Sequence, residues 1–366
     1  MHYFRHSEER TCFCLENVSP DSGLFAYGSR KAAVYSLTIT PPSGKTRLQT
    51  APEPNLIGRF MIRGLEPETT YRLDFSADGE PVFSGEFTTL SLPGGRPEYS
   101  FAVIADPHIS LDRPDRRGRM YSESSRLLKE ALRDAADRGM RAVLIPGDLT
   151  DRGTREQTDE VRNILRNYPG RIFSVPGDHD SGEAGESGRN SELSGTVPFS
   201  ETFGNFQLLG LDTSRGSLDR SQVDLLKDTL SGTRRVIIIA HHNLIKNHAV
   251  VDADAPVSNY RETGEILKAS DCPWIIYCGH KNVPVKLTTP KGVQLNTPQL
   301  PHYPAGYLTV QVYPGGLLHQ FVPIRSEILR RYSLEMLYQT KDPAYRPEYR
   351  YGDLGARCFF YRFSSE

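Results

Sequence analysis

Six short apolar runs beyond residue 100 constrain the fold most: Phe101 to Ala105, Ala142 to Ile145, Ile172 to Val175, Phe206 to Leu211, Val236 to Ala240 and Trp274 to Cys278. They are too short for helices and lack the alternation of a strand with one wet face, so they read as strands covered on both sides. Helical patterns stand between them. Ser122 to Arg138 places Leu127, Leu128, Ala131, Leu132 and Ala135 on one face, and Thr154 to Asn167 and Asp219 to Thr229 are further candidates. Interleaved strands and helices of this kind predict an α/β layered domain.

The first 95 residues follow a different grammar. Ala33 to Ile39, Leu56 to Ile62, Tyr71 to Ser76 and Gly85 to Thr89 are β-type runs punctuated by Pro and Gly, which predicts a small antiparallel sandwich. Leu92-Pro93-Gly94-Gly95-Arg96-Pro97 permits neither helix nor central strand and reads as the linker. Three segments are expected: a β-domain over 1–95, an α/β domain over 96–325, and an extension over 326–366 packed on the second. Within the last two, Tyr307 to Tyr313 and Leu318 to Val322 form a hairpin across Pro314-Gly315-Gly316, and Ser326 caps a helix to Gln339.

A chain of 366 residues with 37% hydrophobic content can bury a sizeable core. Its 44 Lys and Arg against 45 Asp and Glu supply no global attraction to nucleic acid or anionic lipid. No apolar stretch approaches the ~20 residues of a membrane span and no secretory h-region opens the chain, which implies a cytoplasmic protein unless a leader has been removed. The five cysteines are irregularly spaced and read as thiols rather than a disulfide framework, with Cys12 and Cys14 half-buried on one side of a strand.

Five of the six apolar runs beyond residue 100 end in residues able to hold a metal. The series is Asp106-Pro107-His108, Gly147-Asp148-Leu149-Thr150-Asp151, Gly177-Asp178-His179-Asp180, His241-His242 and Gly279-His280-Lys281-Asn282. Open strand ends are where such sites are built, and Asp and His suit divalent cations. Two cations ~3.5 to 4 Å apart need a shared carboxylate, a part that suits Asp148 because Gly147 lets the chain turn sharply off its strand. Only one of His241 and His242 is expected to face the site, since side chains alternate along a strand, and His241 is preferred. His302 reads as a surface-loop histidine, with replacement of a metal ligand missing at Asn282 as the alternative. Asp151 is expected to brace its turn through backbone amides, and Arg152 either contacts a phosphate oxygen or makes a structural salt bridge. The Gly- and Ser-rich stretch 181–200 stands where a lid would.

In order and spacing these motifs resemble the calcineurin-like metallophosphoesterase superfamily, with its DxH, GDxxD, GNH(D/E), H and GHxH pattern. The resemblance implies a metallophosphoesterase β-sandwich flanked by helices, and hydrolysis of a phosphodiester or small phosphomonoester by a metal-bound hydroxide. Carried over, Asp106, His108 and Asp148 hold a first metal; Asp148, Asp178, His241 and His280 hold a second. His179 acts on the leaving group or phosphoryl oxygens, oriented by Asp180. Two positions depart from the pattern: Asp178 replaces Asn and Asn282 replaces His. They shift preference from zinc toward manganese, iron(II), magnesium or calcium and are expected to weaken the first site. A degenerate metal- or phosphate-binding scaffold is the rival expectation.

Upstream, Gly64-Leu65-Glu66-Pro67-Glu68-Thr69-Thr70-Tyr71 followed by Gly85-Glu86-Phe87-Thr88-Thr89 resembles the fibronectin type III pattern, whose Tyr bonds back to the backbone. Such a domain before a phosphoesterase is similar to purple acid phosphatases. Those proteins use DxG and GDxxY, however, where this chain has His108 and Asp151, so no tyrosinate chromophore is expected.

Overall fold

The computed structural model describes residues 4–6, 12–182, 193–247 and 256–363. Residues 183–192 of the expected lid and 248–255 of the loop after His242 lie outside the described residues.

Two four-stranded antiparallel sheets fill residues 4–88, one holding Cys12–Val18, Ser22–Ala33 and Asn55–Arg63, the other Tyr35–Thr40, Thr70–Ala77 and Glu80–Thr88. Alternating side chains bring Phe13, Phe25 and Phe60 of the first against Leu37, Phe75 and Phe87 of the second, with Phe13 and Phe75 stacked at 4.4 Å. The Glu66 N–H donates to the Tyr71 hydroxyl at 2.7 Å and ties down the connection into Thr70–Ala77.

Residues 99–362 build two six-stranded sheets packed face to face, with helices outside each. Tyr99–Val103, Ala142–Pro146 and Arg171–Val175 run parallel in one sheet, which Gly306–Tyr313, Gly316–Pro323 and Phe359–Arg362 extend antiparallel. Phe206–Leu211, Arg235–Ala240, Trp274–Cys278 and Gly292–Asn296 run parallel in the other. Ala142–Pro146, Trp274–Cys278 and Gly292–Asn296 are buried along their whole length and the other parallel strands over all but one or two residues, because Ser124–Asp137 and Arg155–Leu165 cover the outer face of the first sheet and Arg220–Leu230 and Tyr260–Lys268 that of the second. Thr154, Asp219 and Ser326 cap their helices, accepting from Gln157, Gln222 and Leu329 N–H groups at 3.3, 2.9 and 3.2 Å. Among the described residues no helix is long and apolar enough to cross a membrane.

The C-terminal segment does more than cover the catalytic sheets. Leu334 and Leu337 of the helix Glu327–Tyr338, with Tyr351 and Tyr303, pack against Cys12, Cys14 and Ala26 on the outer face of the first N-terminal sheet. Those cysteines are therefore fully buried, where the sequence suggested half-buried thiols. Beneath them Glu16 pairs with Arg330 and lies 3.4 Å from Arg59.

Candidate metal centre

Every motif lies just past the C-terminal end of a parallel strand: Asp106 and His108 after Val103, Asp148 after Pro146, Asp178 after Val175, His241 after Ala240 and His280 after Cys278. Both sheets present these ends at one edge, so that Asp106 and Gly279, 173 positions apart, meet. Turning ligands inward so soon after a strand requires unusual backbone. Asp106, His108, Asp148, His280 and Asn282 all hold left-handed φ values, 45°, 43°, 50°, 64° and 56°. Such strain persists only where the surroundings impose it and concentrates at functional sites. The turns are equally crowded: a Cβ at Gly147, Gly177 or Gly279 would sit 2.4 Å from His241 Nδ1, 2.1 Å from Asp148 Oδ1 or 2.1 Å from Asp106 Oδ1.

The ligand atoms form three groups, each within 4.8 Å: Asp106, Asp148 and His241; Asp178, His241, His242 and His280, which shares His241 with the first; and His108, Asp151 and His179. Asp148 is central. Its Oδ2 lies 3.3 Å from both His108 Nε2 and His241 Nε2, while the His179 N–H donates to its Oδ1 at 3.1 Å. Asp178 Oδ1 lies 2.9 Å from His241 Nε2 and 3.2 Å from His280 Nδ1. The His241 Nδ1–H donates to the Pro146 carbonyl at 2.9 Å, leaving Nε2 as the ligand atom.

Four corrections to the sequence reading follow. His242 joins His241 at the site, its Nε2 3.9 Å from Asp178 Oδ1, because the strand ends at Ala240 and strand alternation no longer applies. Asp180 does not orient His179. Its carboxylate accepts the backbone N–H groups of Gly177 at 2.9 Å, Leu149 at 3.2 Å and Thr150 at 2.8 Å, lashing the second motif to the third. His179 is held instead by donation of Nδ1–H to the Asp151 carbonyl at 2.6 Å. The Asp151 side chain, expected to brace its turn through backbone amides, bonds Arg113 at 2.5 Å and lies 3.8 Å from both His108 Nδ1 and His179 Nδ1. His302 is no loop-surface residue: it is buried, with its ring nitrogens against the carbonyls of Tyr303 and Arg117 at 3.0 and 2.9 Å.

Arg152 pairs with Asp112 at the rim of a cavity of about 490 Å³ that His179 and Asp151 also line. Asn282 donates to the His280 carbonyl at 2.9 Å, and its Oδ1 is buried with no hydrogen-bond partner.

Carboxylates and imidazoles dominate the electrostatics of this pocket. Burial drives the Asp106 carboxyl up and the His108 imidazole down. At Asp148 burial is outweighed by His241 and His108, which hold the carboxyl down; at His241 burial is outweighed by Asp148 and Asp178, which lift the imidazole. Both carboxylate oxygens of Asp106, both ring nitrogens of His108, Oδ2 of Asp151 and Nδ1 of His242 are buried without hydrogen-bond partners. Native proteins rarely leave so many orphans together. Divalent cations fit them: the donors are the oxygens and imidazole nitrogens such ions select, and the charge they bring is the charge missing.

The calcineurin-like phosphoesterase family matches residues 99–284, about half of the chain. This chain belongs to the calcineurin-like phosphoesterase family. It is accordingly a metal-dependent hydrolase of phosphoester bonds. No curated protein matches it in sequence. Among solved structures, a dimetal phosphatase from Danio rerio is similar with a TM-score of 0.52 and 16% identity, over 62% of this chain and 98% of that one, a likeness of fold. PhoD aligns over 84% of this chain and 85% of its own, with a TM-score of 0.42 and 12% identity. The family match ends before Asn296 and Gly306–Tyr313, whose strands complete the two sheets of this phosphoesterase.

Proposed function

We propose that this phosphoesterase works with two divalent cations at chemically unlike positions and hydrolyses a small phosphate ester or diester. The observation that carries the reading is Asp148 Oδ2, equidistant at 3.3 Å from His108 and His241 and thus suited to a shared ligand. Asp106, His108, Asp148 and the Asn282 Oδ1 would hold one ion in an oxygen-rich set favouring manganese, iron(II) or magnesium. Asp148, Asp178, His241, His242 and His280 would hold the other in a nitrogen-rich set closer to the taste of zinc. The Danio rerio protein of similar fold is a dimetal phosphatase, in keeping with such a pair.

When bound, the cations supply Lewis acidity, offsetting phosphoryl charge and making water more acidic. The chain's own residues supply the rest. His179, one-third exposed, holds its Nε2 toward the site while Nδ1–H is anchored on the Asp151 carbonyl, so that in the imidazolium form the Nε2–H is the proton donor for the leaving-group oxygen. Asp180 keeps that histidine in place indirectly, by fixing the backbone on both sides of it. Arg152 would contribute from the rim by exchanging Asp112 for a phosphate oxygen.

The test is hydrolysis of bis-p-nitrophenyl phosphate and p-nitrophenyl phosphate by metal-stripped protein reconstituted with manganese, iron(II), zinc, magnesium or calcium, singly and in pairs. Asp148→Asn and His179→Ala are assayed alongside. Activity that needs metal, reaches its maximum with an unlike pair, disappears in Asp148→Asn and falls ~10²-fold in His179→Ala supports the reading. Full activity with a single bound ion sinks the two-metal assignment.

A further inference from the structure

A second cavity, of about 250 Å³, opens beside the metal centre with His179 and Asn282 on its wall, and arginine dominates the rest of its lining. Arg113, Arg116, Arg117, Arg119 and Arg350 converge there, in a chain whose formal charge is -1. Guanidinium groups gathered in this way repel one another unless carboxylates are interleaved. The cavity lining holds no carboxylate, and among the described residues no carboxylate oxygen lies within 4.0 Å of Arg116, Arg117 or Arg119. The Arg119 Nε is buried with no hydrogen-bond partner.

The groups are nonetheless held in position. Arg113 and Arg119 lie 4.6 and 5.3 Å from the centre of the Tyr121 ring, and Arg117 and Arg350 lie 5.2 and 4.4 Å from that of Tyr345. Aromatic faces orient guanidinium planes without cancelling their charge. The Arg117 backbone is itself in the left-handed region, φ 51°. Arg113 is engaged by the Asp151 carboxylate, but Arg116, Arg117 and Arg119 have no carboxylate oxygen within 4.0 Å among the described residues, and their forks match phosphate, which takes several N–H donors at once.

We infer that the substrate carries a second phosphate beside the scissile one, and that the arginine cavity holds it. The substrate class is a bisphosphorylated small molecule rather than a neutral-flanked diester. This rests on the phosphoesterase reading above, because the second phosphate is placed relative to His179 and Asn282 at the reacting end. The C-terminal segment, which supplies Arg350 and Tyr345, thereby takes part in choosing the substrate.

The experiment compares thymidine 5′-(p-nitrophenyl phosphate) with the same ester bearing a 3′-phosphate, in the protein as purified and in Arg116→Gln/Arg117→Gln. Calorimetric binding of thymidine 3′,5′-bisphosphate and thymidine 5′-monophosphate runs in parallel. Both replaced side chains are exposed, and circular dichroism checks the fold. The 3′-phosphate should raise kcat/KM about tenfold or more at low salt, and the double variant should bring that ratio toward one. Arg116→Lys/Arg117→Lys should restore part of it, since charge returns without the fork. A ratio near one in the unaltered protein, or a preference that survives the double Gln variant in both turnover and binding, overturns the inference. Arginine-dependent binding of the bisphosphate without hydrolysis of any ester under any divalent cation would leave the anion site standing and sink the phosphoesterase reading.

Discussion

At the scale of single residues, the site is made by the absence of side chains as much as by their presence. Gly177 has φ -101° and ψ 179°, a backbone any residue adopts, so its identity is a matter of space alone. An added Cβ would meet Asp148 Oδ1 at 2.1 Å and the Asp148 backbone nitrogen at 2.4 Å. Gly177→Ala should therefore displace the central carboxylate, and a displacement of ~1 Å at a reacting centre costs on the order of 10²-fold in rate. Metal stoichiometry and kcat/KM read the result; a variant as active as the parent would show that Asp148 does not need its present position. Gly264 makes the matched control. It lies within the helix Tyr260–Lys268 with nothing inside 4 Å of its would-be Cβ, so Gly264→Ala should raise stability by ~0.5 to 1 kcal/mol.

At the scale of elements, what is legible in the sequence is what depends on local periodicity. The strands around Leu144, Ile238 and Ile276 are apolar because they are covered on both faces, and the caps at Thr154, Asp219 and Ser326 are local hydrogen bonds. What is not legible depends on how turns leave their strands. His242 reaches the site because the chain bends at its strand end, and Asp180 faces backbone amides of a loop 30 residues earlier rather than its neighbour His179. The strand Cys12–Val18 is buried on both faces only because a helix more than 300 residues later covers it. Another pairing of this kind joins the two catalytic sheets: the Tyr277 hydroxyl donates to His319 Nε2 at 2.8 Å. His319 is fully buried and stacked on Phe359 at 4.1 Å, and burial pushes its imidazole down to about 3. The unfolded chain takes up that proton near pH ~6.5 while the folded one does not, so unfolded binds more protons in between. The stability involved is complete above ~6.5 and is lost as pH falls toward 3, at up to ~1.4 kcal/mol per unit. Between pH 7 and 5 this one group should cost the protein of order 2 kcal/mol. Tyr277→Phe/His319→Phe, which removes donor and acceptor together, should flatten that limb in urea titrations at the two pH values; an unchanged limb would place the acid sensitivity elsewhere.

At the scale of the whole molecule, the decisive element is the helix Glu327–Tyr338. Glu16, on the N-terminal sheet, has its side chain 1% exposed and is paired with Arg330 from the C-terminal helix; Arg59 stands 3.4 Å away and also pairs with Glu327. The same helix buries Cys12 and Cys14 under Leu334 and Leu337, and Arg330 Nε donates to the Pro304 carbonyl at 3.3 Å in the catalytic domain. One side chain thus ties the sandwich to the loop beneath the arginine cavity. Replacing Arg330 alone strands a buried carboxylate, for which the expected cost is ~3 to 5 kcal/mol, whereas replacing both partners by apolar residues of similar volume is often neutral. Arg330→Met should accordingly lower the calorimetric Tm by several degrees and split unfolding into two transitions, as the sandwich loses its hold on the catalytic sheets. Glu16→Met/Arg330→Met should recover most of the loss and restore a single transition. If the double variant is as weak as the single one, the ion pair is not what joins the two parts, and the apolar contact of Leu334, Leu337 and Tyr351 with the cysteine face of the sandwich carries the connection instead.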